Sequence, residues 1–183
     1  MSVLELRVTL DYVEPRVERT LHVPAAIRLD RLHTTLQAAM GWTDTHLYLF
    51  ETGGATWSLP DDEFPNDDLP VHKTTLIEVL EDTGSNTLRY LYDFGDGWEH
   101  TLTVCQSLQP EWGYLYPRLI HAIGTCPPED IGGVPGYQDF LDAIADPNHP
   151  EHKSYANGYD ENFEPNNPPV EALTHNVNKL AKR

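Results

Sequence analysis

Side chains able to ligate a metal or move a proton are gathered in three short stretches: Asp93, Asp96 and His100 around Gly95-Asp96-Gly97; Glu129 and Asp130 after Pro127-Pro128; and His149 and His152 flanking Glu151. Carboxylates and an imidazole about a tight turn can hold a divalent ion or do acid–base work. The same groups can equally serve the fold, with Asp96 as a turn residue and Asp93 holding His100 across the strands. The proline pair stiffens the backbone ahead of Glu129 and Asp130, which directs them either to a metal or to capping the helix that follows. His149 and His152 share a face if they lie on a helix and could chelate there with Glu151; the plainer assignment is a surface helix start. Oxygen and imidazole donors together suit zinc, manganese or iron better than magnesium; the residues leave open whether a cofactor is bound, a divalent metal ion being the one they could hold.

The elements that must position these groups follow from hydrophobic periodicity. Leu4, Leu6, Val8 and Leu10 alternate with polar residues, as do Val17, Arg19, Leu21 and Val23, which predicts a hairpin closed by Pro24. Leu29, Leu32, Leu36 and Met40 have helical spacing, with Gly41 placed as a left-handed terminator. His46–Glu51 and Ala55–Leu59 read as strands about Gly53-Gly54, and Asp61 to Pro70 as an acidic loop. Thr75 and Glu78 form a capping box ahead of a short helix through Leu80.

Leu88, Tyr90, Tyr92 and Phe94 then alternate up to Gly95-Asp96-Gly97, and Trp98, His100, Leu102 and Val104 alternate away. A two-residue turn puts Asp93 opposite His100 and Leu91 opposite Leu102; a three-residue loop puts Tyr92 opposite His100. Trp42, Trp98, Tyr90, Tyr92 and Phe94 read as core aromatics and Cys126 as a small buried residue. Trp112 to Gly124 has no regular pattern. Helices are expected around Tyr137–Ile144, from His149 to Tyr155 and from Val170 to Leu180, with a loop over residues 157–169. The expected fold is one α+β domain over residues 1–183, an antiparallel or mixed sheet of hairpins with helices packed against it.

The balance of 29 acidic against 12 basic residues gives a net charge of −17 and excludes a basic stripe for phosphate backbones. Direct nucleic-acid binding is therefore not expected; a basic protein partner suits the surface better. No apolar run reaches the roughly 18 residues of a membrane span. The chain opens directly into Val3-Leu4-Glu5-Leu6, and with two cysteines and no leader pattern a cytoplasmic location is expected.

Residues 15–24 (PRVERTLHVP), 90–100 (YLYDFGDGWEH), 126–133 (CPPEDIGG) and 136–141 (GYQDFL), with Leu32-His33, Gln37, Gly41-Trp42 and His46-Leu47 before them and Asp146-Pro147, His149, Glu151-His152 and Val177-Asn178 after, occur in a distinctive order. In these segments the chain resembles the plasmid pRiA open-reading-frame-three-like family, also labelled insertion-element passenger, TnpR-like. The resemblance implies an α+β fold and no assigned activity. Cysteines that relatives carry before and after the CPPED loop correspond here to Leu119 and Ile131, so a thiolate metal site of that kind is incomplete. The resolvase label fails on chemistry, because a recombinase needs a nucleophile with arginine partners and a basic DNA-binding region. The expectation is a non-catalytic interaction or regulatory module. The alternative is a metal-dependent hydrolase-like enzyme, and mimicry of DNA by acidity is a weaker third. Convergence of Asp93, His100, Glu129 and His149 in one cleft would favour the enzyme, and their scatter the module.

Overall fold

The computed structural model describes residues 2–60, 67–160 and 162–181. Strands β1 (Val3–Leu10) and β2 (Val17–Pro24) form the first hairpin, in register with Leu6 opposite Leu21. Helix α1 (Leu29–Met40) follows and ends at Gly41, whose φ of 91° is the left-handed conformation that lets its N–H return to the Gln37 carbonyl. Strands β3 (Tyr48–Thr52) and β4 (Ala55–Ser58) pair Phe50 with Trp57. The strand expected from His46 begins two residues later, which leaves His46 free on the preceding loop. The two-residue β5 (Leu69–Pro70) runs parallel to β4, at the end of the expected acidic loop. Residues 61–66 of that loop lie outside the described residues. Helix α2 (Leu76–Thr83) has the capping box in place, with Glu78 accepting from the Thr75 N–H and hydroxyl.

Strands β6 (Thr87–Tyr92) and β7 (Trp98–Leu108) form the central hairpin, and β8 (Arg118–Ile123) pairs with β2. Together the strands make one eight-stranded mixed sheet, mostly antiparallel, in the order β5-β4-β3-β6-β7-β1-β2-β8. Helices α3 (Gly133–Ala145), α4 (His152–Gly158) and α5 (Val170–Asn178) complete the α+β fold, with α5 packed on α1 and β8. Among the described residues no helix is long and apolar enough to cross a membrane.

Period-two alternation puts Leu6, Val8, Leu21, Val23, Tyr90, Leu102 and Phe50 on one buried face, where Leu32 and Leu36 of α1 cover them. The other face carries Arg89 paired with Glu51 and Glu99, and His22 beside Glu5. Two residues break the apolar rule: Arg19 and His100 occupy core-phase positions and are fully enclosed.

Several expectations are corrected. Tyr90, not Asp93 or Tyr92, lies opposite His100, and Tyr92 pairs with Trp98, so residues 93–97 form a five-residue connection. The reason is local: Asp93 turns to φ 57°, and its Oδ1 accepts from the Gly95 and Asp96 N–H groups, starting the turn before Asp-Gly is reached. Phe94 then points outward and is half exposed. The irregular stretch 112–124 contains β8, an edge strand whose single covered face leaves only a faint alternation. The helix expected from His149 begins at His152; Asp146 accepts the His149 and Asn148 N–H groups and holds that segment as a turn.

Candidate metal centre

Tyr92 ends β6 at the sheet end where β3 begins, and the Asp93 N–H donates to the Leu47 carbonyl at 2.9 Å. This joins the 93–97 turn to the loop carrying His46. That loop is anchored from α1: His33 Nε2 lies 2.6 Å from Asp44 Oδ1, and Gln37 Oε1 accepts the Asp44 N–H at 3.0 Å. Gln37 also donates to the Tyr90 hydroxyl at 3.0 Å, and that hydroxyl lies 2.7 Å from His33 Nδ1. The pattern closes if Tyr90 donates to a neutral His33 whose Nε2–H donates to Asp44. Burial holds the His33 pKa below its ordinary value, outweighing Asp44.

The loop of residues 126–133 is clasped to the same place. Glu129 Oε1 accepts from the Tyr92 hydroxyl at 2.7 Å, and Oε2 from the Thr43 N–H at 3.0 Å. Burial and the Glu129 carboxylate push the Tyr92 pKa up to about 12. The Trp42 indole donates to the Pro127 carbonyl at 2.9 Å. Asp96 Oδ2 accepts the Gly132 N–H at 3.2 Å, and Gly132, at φ 94°, starts α3. These contacts deliver Asp130 to His46.

The result is a cluster of His46, Asp93 and Asp130, whose ligand atoms all lie within 4.8 Å of one another. His46 Nε2 is 3.0 Å from Asp130 Oδ1 and 3.6 Å from Asp93 Oδ2. Yet Nε2 is covered and makes no hydrogen bond, because the 3.0 Å contact misses the angle an N–H···O bond requires and the 3.6 Å contact is too long for one. Both aspartates have φ 57°, an uncommon conformation for a residue with a Cβ. Asp93 Oδ1 is committed to its own turn, so Oδ2 is the oxygen left for His46.

Of the residues singled out in the sequence, Asp93 and Asp130 enter this cluster; Asp96 and Glu129 tie the loops around it. His100 faces the core, with Nδ1 3.2 Å from the Tyr90 carbonyl, and burial lowers its pKa to about 4. The expected Asp93–His100 pair does not form. His149 accepts the Glu151 N–H, and His152 Nδ1 lies 2.8 Å from the Ala143 carbonyl, so both serve the α3–α4 junction. Neither Glu129 nor Asp130 caps α3, whose N-cap is Gly132. Cys126 is buried and its thiol pKa is pushed up to about 12 by burial. His46 carried a sequence signal, an imidazole just ahead of a strand, but it stands 47 residues from Asp93 and 84 from Asp130. The β3–β6 pairing makes the first separation short in space, and the clasp on the 126–133 loop the second.

Fold and site together define an α+β protein that gathers its ligand-bearing loops at one end of a mixed sheet. The family described as "Plasmid pRiA4b ORF-3-like protein" matches residues 2–172, and the chain belongs to it. A Sinorhizobium fredii protein, "Uncharacterized protein y4hQ", is 49% identical over 151 residues, covering 82% of this chain and 77% of that one. The crystal structure of MM3350 from Methanosarcina mazei Go1, a protein of unknown function, superposes with a TM-score of 0.80 at 26% identity. That match covers 91% of this chain and 94% of the archaeal one.

Proposed function

We propose that the protein is a non-catalytic binding module whose working site holds a divalent cation between His46, Asp93 and Asp130. The observation that carries this reading is the covered His46 Nε2, which has no hydrogen bond and stands 3.0 and 3.6 Å from two carboxylate oxygens. Ligands about 2.1 Å from an ion in tetrahedral or octahedral geometry stand roughly 3.0–3.5 Å apart. The His46–Asp130 spacing falls in that range and the His46–Asp93 spacing just beyond it, so a slight contraction of the cluster would let the three groups share an ion. The cation would neutralise opposed carboxylates and bridge three loops, which couples binding to stability. Zinc, manganese or iron(II) suits this donor set.

Support for a module over an enzyme comes from the groups expected to do proton chemistry. His100 is sealed in the core and His149 lies at the α3–α4 turn, while Cys126 is the small buried residue expected and is held protonated. A net charge of −17 suits a basic protein partner for such a module. The hydrolase-like alternative has one observation in its favour: Asp130 is 73% exposed, so water reaches the cluster and could occupy positions that three protein ligands leave open.

The test is thermal melting of chelator-stripped protein across a divalent-ion series. Zinc or manganese should raise Tm in the wild type and in His149→Ala, and His46→Ala or Asp93→Asn should abolish the rise. No metal-dependent rise, or one untouched by both site substitutions, would remove the reading. Turnover of ester or phosphoester substrates that appears only with metal and disappears in His46→Ala would replace the module with the hydrolase.

A further inference from the structure

Arg19 is in phase with Val17, Leu21 and Val23 on β2, so alternation carries its guanidinium into the core, where the residue is 0% exposed. Nε donates to the Ala39 carbonyl at 2.8 Å, which satisfies one of the free carbonyls at the C-terminal end of α1. Nη1 donates to the Glu18 and Ile123 carbonyls at 2.8 and 2.7 Å. Nη2 is covered and has no partner. Among the described residues no carboxylate pairs with this arginine; Cys126 is the group whose electrostatics it feels. A chain of net charge −17 thus keeps an enclosed cation without a counter-ion.

A cavity of about 230 Å³ adjoins it, lined by Arg19 and Cys126 together with Met40, Trp42, Phe163 and Leu173. This is smaller than the roughly 300–1,000 Å³ of sites for drug-sized ligands, and amounts to the room of about seven or eight waters. Its lining combines one cation with an apolar wall. Glu129 also borders it, with both oxygens already accepting hydrogen bonds. That negative charge at the rim disfavours a multiply charged anion such as phosphate.

We propose that this cavity binds a small organic monocarboxylate, the carboxylate taking the free Nη2 valence of Arg19 and the apolar body lying against Met40, Trp42, Phe163 and Leu173. Binding includes the small side-chain shift that uncovers Nη2. The cavity shares no lining residue with the cation cluster, although Glu129 borders it and also ties down the loop that presents Asp130.

The test uses the intact chain with benzoate and butyrate as probes, benzamide as the neutral counterpart and inorganic phosphate as the multiply charged one. The readout is the Trp42 indole N–H resonance, which reports on the cavity wall, with affinity measured by calorimetry. Benzoate or butyrate should shift that resonance saturably and bind at least tenfold more tightly than benzamide, and Arg19→Gln should weaken binding at least tenfold. No saturable shift with either carboxylate, equal binding of benzamide, phosphate binding in their place, or undiminished binding by folded Arg19→Gln would each overturn the proposal. Should Arg19→Gln fail to fold, the carboxylate-against-amide comparison on the wild-type chain decides it.

Discussion

Gly133 lies against the backbone of Asp96 so closely that a Cβ on it would stand 2.3 Å from the Asp96 carbonyl oxygen. With φ 68° it also occupies the left-handed region. This contact seats the 126–133 loop on the 93–97 turn and so fixes where Asp130 meets Asp93. Gly133→Ala should therefore cost more than backbone strain alone, which is about 1–2 kcal/mol for a residue with a Cβ. Gly84→Ala is the comparison, since Gly84 has φ 67° with nothing within 4 Å of its Cβ position. Chemical denaturation of the two variants should show Gly133→Ala the more destabilised; equal losses would mean that the loops part without penalty.

His100 makes the fold sensitive to acid. Its pKa falls from 6.5 to about 4 on folding, because burial disfavours the charged ring. Between those values the unfolded chain takes up a proton that the folded chain refuses. Its contribution is thus complete above pH 6.5 and declines as pH falls toward 4, by about 3 kcal/mol in all. His33, lowered by the same cause, acts in the same direction. His100→Leu should flatten the stability profile across this range. An NMR titration placing the wild-type His100 midpoint near 6.5 would contradict the assignment.

Leu36 is 1% exposed beneath α1 and should cost about 2–5 kcal/mol when truncated to alanine. A loss under about half a kcal/mol in urea denaturation would show that α1 does not pack on the sheet as described.

Tyr92 holds Glu129, and through it the loop that presents Asp130, at a hydroxyl–carboxylate distance of 2.7 Å. Tyr92→Phe keeps the ring in the core and removes that bond together with the one the hydroxyl accepts from the Thr45 N–H at 3.2 Å. Zinc or manganese affinity should fall about tenfold, the lower end of the effect of losing an outer-shell partner. Unchanged affinity by calorimetry would separate Glu129 from the site.

The charge of −17 leads to a further expectation, that random duplex DNA is not bound at physiological salt. Fluorescence anisotropy showing sub-micromolar affinity would contradict it.

Much of the fold was legible along the chain because its signals are local. The Leu4–Leu10 and Val17–Val23 alternation, the Thr75/Glu78 box and the Gly41 terminator each depend on residues a few positions apart, and each stands as read. Asp93 and Asp130 were also visible as carboxylates in turn-forming stretches. What the sequence could not determine was which groups meet. Asp93 leaves the ladder at φ 57° before the Asp-Gly pair, and that shift turns His100 away from it and under Tyr90. His46 joins Asp93 and Asp130 through β3–β6 pairing and the Tyr92–Glu129 bond, contacts that span tens of residues. Arg19 could be seen in a core phase, but its carbonyl partners on α1 and β8 are in reach only once those elements pack against β2. Periodicity is set by neighbours along the chain, whereas a site is set by which loops the sheet brings to one end, and that is decided by packing.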